Sequence, residues 1–515
     1  MSALALAAAL LSAPPVWATD TATPDAVALY AEHCASCHGV DRLGGMGPAL
    51  LPENFRRLDQ DAAATAIADG LAATQMPPFQ KTLSPAAIAA LVDLIFTPPP
   101  QPPEWGSERI AATRVVQNPL ETLPPRPVYK ADLLNLFLVV ELGDHHVTVL
   151  DGDRMEPIHR FATHRALHGG PKFSPDGRFV YLASRDGWVS KYDLYNLKPV
   201  AEVRAGINTR NLAVSSDGRY VMVANYLPHT LVLLGADTLV PLRVMQVHDD
   251  KGTESRVSAV YDAAPRHSFV AALKDLPEIW EISYADPPPY HGPVHDYRDE
   301  GPLAEPQPFP VRRIRLDDYL DDFFFDQAYR HVIGAARNAE NGQVVNLDVG
   351  RKIAEIKLPG MPHLGSGITW DYEGRPVLAT PLLDQGIVSI IDMRTWRTIK
   401  EIKTLGPGFF MRSHENTPYA WVDVFFGPHK DVVHVIDKRT LEIVKTLRPA
   451  PGKTAAHLEF TRDGRRALLS IWETDGAVVV YDASRLEEVK RLPMNKPSGK
   501  YNVYNKITRS AGTSH

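Results

Sequence analysis

Residues 173–197, FSPDGRFVYLASRDGWVSKYDLYNL, decide how most of this chain is read. The segment holds an Asp176-Gly177-Arg178 turn, a run with alternating apolar positions, and a second strand, VSKYD, that ends on Asp193. Alternation with period two, bounded by turn residues, points to half-buried strands rather than helices. The plan recurs about every 40 residues, the spacing of a repeat architecture. Related turns stand at Asp217-Gly218-Arg219, Glu373-Gly374-Arg375 and Asp463-Gly464-Arg465. The Asp-terminated strand returns as VTVLD at 147–151, VVNLD at 344–348, VSIID at 388–392, VHVID at 433–437 and VVVYD at 478–482, with looser copies at 231–235 and 279–283.

This makes eight units, each read as an inner strand, a turn, an alternating strand and an outer strand ending in Asp. Four strands per unit over about 370 residues is the arithmetic of an eight-bladed β-propeller. A parallel β-helix needs a much shorter repeat. GKYNVYN at 499–505 is expected to pair into the first blade and so remove an open sheet edge.

Radial blades aim their innermost strands at a central channel. The slots preceding the turns read His168, Arg210, Arg256, Asp321, His363, Met411-Arg412 and His457. A lone histidine in such a place is ordinarily a structural residue. Recurrence in equivalent slots points instead to a large anionic, iron-bearing ligand, because imidazole suits iron and guanidinium forks match carboxylates.

Upstream of the repeats lies Cys34-Ala-Ser-Cys37-His38, the spacing of a c-type haem attachment site. These are the only two cysteines in 515 residues, so no disulfide competes for them. The adjacent His, the Gly-rich loop and the lack of a βαβ context argue against a thioredoxin-like motif, and the lack of a second ligand pair argues against zinc. Three helices are expected around it, with Asp25 in the first turn of the first, Gly70 closing the second, and Ser84 and Pro85 opening the third. That is the layout of a small all-α class I cytochrome c domain. Met76, beside two prolines, is the favoured sixth iron ligand over Met46.

The opening MSALALAAALLSAPPVWATD reads as the apolar region of a secretory signal, although no Lys or Arg precedes it. Haem attachment outside the bacterial cytoplasm agrees with a periplasmic protein. No stretch is long enough to span a membrane. The boundaries are thus a signal at 1–20, a cytochrome c domain at 21–97, a Pro-rich extended linker at 98–130 and a propeller at 131–515. A net charge of −6 gives no footprint for nucleic acid. No Gly-rich dinucleotide fingerprint sits in a strand–helix context.

A cytochrome c domain followed by an eight-bladed propeller resembles cytochrome cd1 nitrite reductase and its relatives. TPPPQPPEWG at the junction, LNLF at 134–137, SRDG at 184–187 and PSGKYNVYN at 497–505 carry the resemblance over nearly the whole chain. It implies a covalent haem c on Cys34, Cys37 and His38 and a non-covalent d1-type tetrapyrrole in the propeller. His168 matches the proximal iron ligand, and Arg185 and Arg210 match basic residues near the carboxylates, with Arg256 beside them. The reductases' distal histidine pair is replaced by Asp321, which would repel nitrite, and by Leu382, which has no proton to give. The closer resemblance is therefore to the dihydro-haem d1 dehydrogenases of haem d1 biosynthesis.

That branch oxidises a propionate side chain of dihydro-haem d1 to the acrylate of haem d1. The resemblance gives His457 as first choice of base, His363 as a second iron ligand or base, and Tyr501 as a hydrogen-bonding or relay group. It also implies a periplasmic electron acceptor, with nitrite reductase and other haem d1 maturation proteins as partners. A true nitrite reductase and a non-enzymatic haem d1 carrier are the alternatives.

Overall fold

A computed structural model describes residues 24–45, 47–55, 58–71, 76–289, 307–335, 341–358 and 362–508. The expected signal at 1–20 and the rival ligand Met46 lie outside them. The described residues form two compact units, one from 1–42 and 50–98, the other from 43–49 and 99–515.

In the first unit the CASCH segment interrupts what the sequence suggests is one helix. Helix α1 (Ala26–His33) ends at Cys34, and a single turn, α2 (Ala35–His38), carries the second thiol and the histidine. Asp25 stands just outside α1 and caps it, its carboxylate accepting from the Val27 and Ala28 amides. Helix α3 (Gln60–Asp69) closes on Gly70, whose φ of +72° favours glycine. Helix α4 (Pro85–Phe96) starts with Pro85, and the Ser84 hydroxyl accepts from the Ala87 amide at 3.2 Å. Tyr30, Ile67, Leu83, Ile88, Leu91 and Ile95 form the apolar centre these helices share.

The second unit contains eight four-stranded antiparallel sheets in sequence order, apart from one extra short strand. Blade 1 is composite. Its innermost strand, Pro497–Asn502, comes from the far end of the chain and pairs with Leu136–Glu141, setting Leu138 opposite Tyr501 and Val139 opposite Lys500. The ring thus closes as the sequence suggests, except that the strand stops at Asn502 and Val503–Thr508 turns into a short helix.

The repeated turn has a simple cause. Ser174, Ser215 and Thr461 donate their hydroxyls to Asp176, Asp217 and Asp463 at 2.5, 2.6 and 2.7 Å. Each Asp in turn accepts the amide two residues on. The Asp-terminated strands are corrected in one respect: they are the third strands of their blades. Their carboxylates cap the turn into a fourth, as Asp151, Asp392 and Asp482 do for the amides two and three residues on. The fourth strands, such as Glu156–Ala162 and Arg351–Lys357, are largely exposed and carry no apolar run to announce them.

The Pro-rich segment is also more than an extended connector. Ser107–Thr113 is helical, and Val115–Val116 pairs with the outer strand of blade 2. The indole of buried Trp105 donates to the Arg204 carbonyl at 2.8 Å. Among the described residues no helix is long and apolar enough to cross a membrane.

Blade 7 holds a histidine with a consequence for stability. His434 is buried, its Nδ1 bonded to Thr446 Oγ1 at 2.9 Å and its Nε2 accepting the Leu405 amide at 3.2 Å. Burial pushes its pKa down to about 4. The unfolded chain therefore binds the proton first, so the stability this neutral ring supports is present above the unfolded pKa of about 6.5 and is lost as pH falls toward 4. The loss attributable to His434 is roughly 3 kcal/mol at most. Urea midpoints at pH 4.5 and 7 are expected to differ more in the wild type than in His434→Asn; equal differences would clear His434.

Candidate functional site

The residues read as axis-facing do converge. His168 precedes the innermost strand of blade 2, Arg210 lies on that of blade 3, and Arg256 and Asp321 immediately precede those of blades 4 and 5. Arg412 and His457 lie on those of blades 7 and 8, while His363 abuts the turn that leads into blade 6.

The three histidines are linked by contacts. The His363 ring stacks on Phe409 with centroids 4.1 Å apart, Phe409 meets Phe410 at 4.5 Å, and Phe410 meets His457 at 4.8 Å. His457 in turn lies 5.3 Å from the Tyr501 ring on the closing strand. Tyr501 reaches the His168 loop: a Cβ on Gly170, whose φ is +70°, would fall 2.7 Å from its Cε1. Only a glycine there lets the phenol and the loop approach.

Each imidazole is held differently. His168 Nδ1–H donates to the Arg210 carbonyl at 2.7 Å, which leaves the lone pair on Nε2. Nε2 faces Arg210 Nη1 at 2.8 Å and Arg185 Nη2 at 3.2 Å. His363 Nδ1–H donates to the Phe409 carbonyl at 2.8 Å, which likewise puts the lone pair on Nε2. His457 adopts φ +54°, its amide donates to Asp423 Oδ2 at 3.2 Å, and its carbonyl accepts from the Lys500 ammonium. The Lys500 amide stands 3.4 Å from His457 Nδ1, long for a hydrogen bond. The ring nitrogen is therefore only loosely engaged.

Burial lowers the pKa of His363, with Arg210 and Arg412 adding to the effect and Asp322 opposing it. Burial takes His457 well below its ordinary value, reinforced by Lys500, Arg412 and Lys506. Both rings are therefore neutral at pH 7. Burial also brings Lys172 to about 8 and Lys506 to about 7. Arg210 and Arg412 bring permanent positive charge to the neighbourhood of these rings and Lys172 adds to it, with Asp322, Asp423 and Glu459 as counter-charges, while burial takes Lys500 well below its ordinary value and its amine donates to the His457 carbonyl and Ser470 Oγ. Such positive charge suits a ligand bearing several carboxylates.

Two expectations need correction. Asp321 does not stand as a bare anion: Lys274 forms an ion pair with it. Arg256 is not presented freely to a ligand either, since Asp275 accepts from both its backbone amide and its guanidinium. Arg185 and Arg256 instead flank the Tyr226 ring at 5.3 and 5.5 Å. Leu382 is fully buried. Sequence reasoning missed Lys172, Lys500, Lys506 and Asp423. The available signal for Asp423 was a carboxylate set within the apolar run AWVDVFF at 420–426.

In the helical unit, Cys34 and Cys37 are half-buried and His38 is buried. Met76 shares the apolar cluster with Cys34, Leu50 and Phe79. Two thiols, an imidazole and a thioether around an apolar interior fit a covalent haem c.

Comparison with known proteins agrees with this geometry. The family described as "Cytochrome D1 heme domain" matches residues 131–506. The chain belongs to that family. Residues 21–95 match the family described as "Cytochrome C oxidase, cbb3-type, subunit III". The chain is 58% identical over 488 residues to a dihydro-heme d1 dehydrogenase of Pseudomonas aeruginosa, covering 95% of each. It is 25% identical over 564 residues to a nitrite reductase of Stutzerimonas stutzeri, covering 98% of this chain and 96% of the other. A solved structure of the dihydro-heme d1 dehydrogenase NirN in complex with DHE superposes with a TM-score of 0.87 at 58% identity, over 93% of this chain and 99% of that one.

Proposed function

We propose that this member of the cytochrome d1 haem-domain family dehydrogenates the propionate side chain of dihydro-haem d1 to the acrylate of haem d1. The observation that carries the reading is the chain of contacts that joins His168, His363 and His457, from three blades, beside Arg210 and Arg412. It is supported by the likeness to a named dehydrogenase over nearly the whole chain.

In the reaction a –CH2–CH2– unit becomes –CH=CH–. Two C–H bonds break, one C=C π bond forms, and two protons and two electrons leave. His168 ligates the substrate iron through Nε2, whose orientation the Arg210 carbonyl secures. Arg185 and Arg210 shift from Nε2 to the substrate's carboxylates, with Lys172, Arg412 and Lys506 compensating the remaining negative charge. His457 accepts a proton from the side chain as general base. His363 supplies a second imidazole for the iron or for the second proton, and Tyr501, packed on His457, relays protons away from it. Cys34 and Cys37 would hold a covalent haem c, with His38 and Met76 beside it to bind its iron, and that group would supply one-electron redox chemistry for the two electrons released.

A nitrite reductase needs proton donors over the bound anion. At the two positions that match the reductases' distal histidines this chain has Asp321, ion-paired with Lys274, and the buried, apolar Leu382, so no imidazole stands at either. We place the protein in the periplasm, passing its product toward nitrite reductase and other haem d1 maturation proteins and its electrons to a periplasmic acceptor. The test is anaerobic incubation of the holoprotein with dihydro-haem d1 and a one-electron oxidant. The recovered tetrapyrrole is expected to be lighter by two hydrogens. Recovery of unchanged substrate would remove the dehydrogenase reading.

A further inference from the structure

One buried carboxylate accepts hydrogen bonds from the backbone beside both His363 and His457. Asp423 ends the second strand of blade 7 and is fully buried. One of its oxygens, Oδ1, accepts the Phe409 amide at 2.8 Å and the Phe410 amide at 3.0 Å. The other, Oδ2, accepts the His457 amide at 3.2 Å. These three amides are the ones that matter for the rings. The Phe409 carbonyl receives His363 Nδ1–H, and the Phe409 ring stacks on His363. The Phe410 ring packs on His457. His457 itself holds a left-handed backbone conformation that a bulky residue adopts only when its surroundings impose it.

We propose that Asp423 is a shared positioning residue, fixing the orientation of His363 through Phe409 and of His457 through Phe410 and the His457 amide. The proposal deepens the dehydrogenase reading and rests on it for its catalytic consequence. The loop on which it acts has little room elsewhere. A Cβ on Gly408 would stand 2.8 Å from the Asp423 carbonyl oxygen and 3.0 Å from Pro381 Cβ, so Gly406–Phe410 can lie against blade 7 only with a glycine there. The Asp423 amide also donates to the Phe410 carbonyl at 3.2 Å, which doubles the tether. A carboxylate is the group this position requires. Three converging N–H donors need acceptor lone pairs on both oxygens, whereas an amide would turn its own N–H2 toward at least one of them. Burial raises the Asp423 pKa to about 6 against the pull of those donors and of Lys500. Either protonation state keeps acceptor capacity for the amides.

The experiment compares wild-type holoprotein with Asp423→Asn and Asp423→Glu in two readouts. The first is steady-state oxidation of dihydro-haem d1. Displacing a reacting group by about 1 Å costs on the order of a hundredfold in rate, so Asp423→Asn is expected to lower kcat roughly 10- to 100-fold with KM changed less than about threefold. Asp423→Glu should recover part of the loss. The second readout does not depend on turnover. Ring 15N shifts of His363 and His457 in the reduced, 15N-histidine-labelled protein should both move in Asp423→Asn. Wild-type kcat in that variant, or unmoved ring shifts, would overturn the proposal. Failure of the wild type to oxidise the substrate would overturn the dehydrogenase reading alone, since the ring shifts still report on Asp423. Should Asp423→Asn not fold, Gly408→Ala keeps the carboxylate and displaces the loop. The same fall in kcat and the same ring shifts are expected there, and their absence counts equally against the role.

Discussion

His457→Asn is expected to bind dihydro-haem d1 as the wild type does and to convert it between a hundred- and ten-thousandfold more slowly, the range of a positioned general base (roughly 10²–10⁴). Asn is the better substitution than Ala because position 457 sits at φ +54°. Asn tolerates that region, so the backbone hydrogen bonds to Asp423 and Lys500 survive while the base is removed. The His457 ring is a weak base before substrate binds, since burial, Lys500, Arg412 and Lys506 all lower its pKa. Substrate binding supplies the correction. Carboxylates brought against Arg412 and Lys506 cancel part of the positive field and raise the basicity of the ring only when the site is filled. The test is single-turnover absorbance change together with a titration of binding. Wild-type turnover in His457→Asn would take His457 out of the chemistry, and loss of binding in parallel with loss of turnover would make its role structural.

How much of this was readable beforehand depends on the range of the interactions. The turn at Asp176-Gly177-Arg178 and the Asp-capped strands are local hydrogen-bond devices, so they repeat visibly along the chain. Repetition then ranks the axis-facing slots, and His168, His363 and His457 follow from counting. The fourth strands were misplaced because, half-exposed on the rim, they need no apolar run. The helix inside the Pro-rich segment was missed because Trp105 and its contacts with Arg204 and Arg109 hold it, not its own periodicity. Pairings across segments left no trace in sequence: Lys274 with Asp321, Lys500 with the His457 carbonyl, and Asp423 with two amides that lead into its own blade and one in the next. Each joins residues distant along the chain, and each changes what a neighbouring group can do. Asp321, read as a bare anion, becomes one half of an ion pair.

The second large effect is expected from His168→Gly. The substrate iron then loses its ligand from the chain, and tetrapyrrole affinity falls on the order of a hundredfold or more, since even disturbing the partners of a ligating histidine costs about 10- to 100-fold. The geometry makes the loss reversible. The Arg210 carbonyl that orients Nδ1–H of His168 belongs to the backbone of blade 3 and remains in the variant, as do the guanidiniums of Arg185 and Arg210. Free imidazole entering the space left by the side chain meets the same acceptor at the same distance. It is held with one nitrogen donating to that carbonyl and the other facing the iron. Millimolar imidazole is therefore expected to restore both the absorption spectrum of the bound tetrapyrrole and its oxidation in His168→Gly, and to leave His457→Asn inactive, because that variant lacks a proton acceptor rather than a ligand. Restoration of the spectrum without oxidation would mean that His168 also orients the side chain through Arg185 and Arg210. Undiminished binding in His168→Gly would move iron ligation to His363, whose Nδ1–H also donates to a backbone carbonyl and so puts the lone pair of that ring on Nε2.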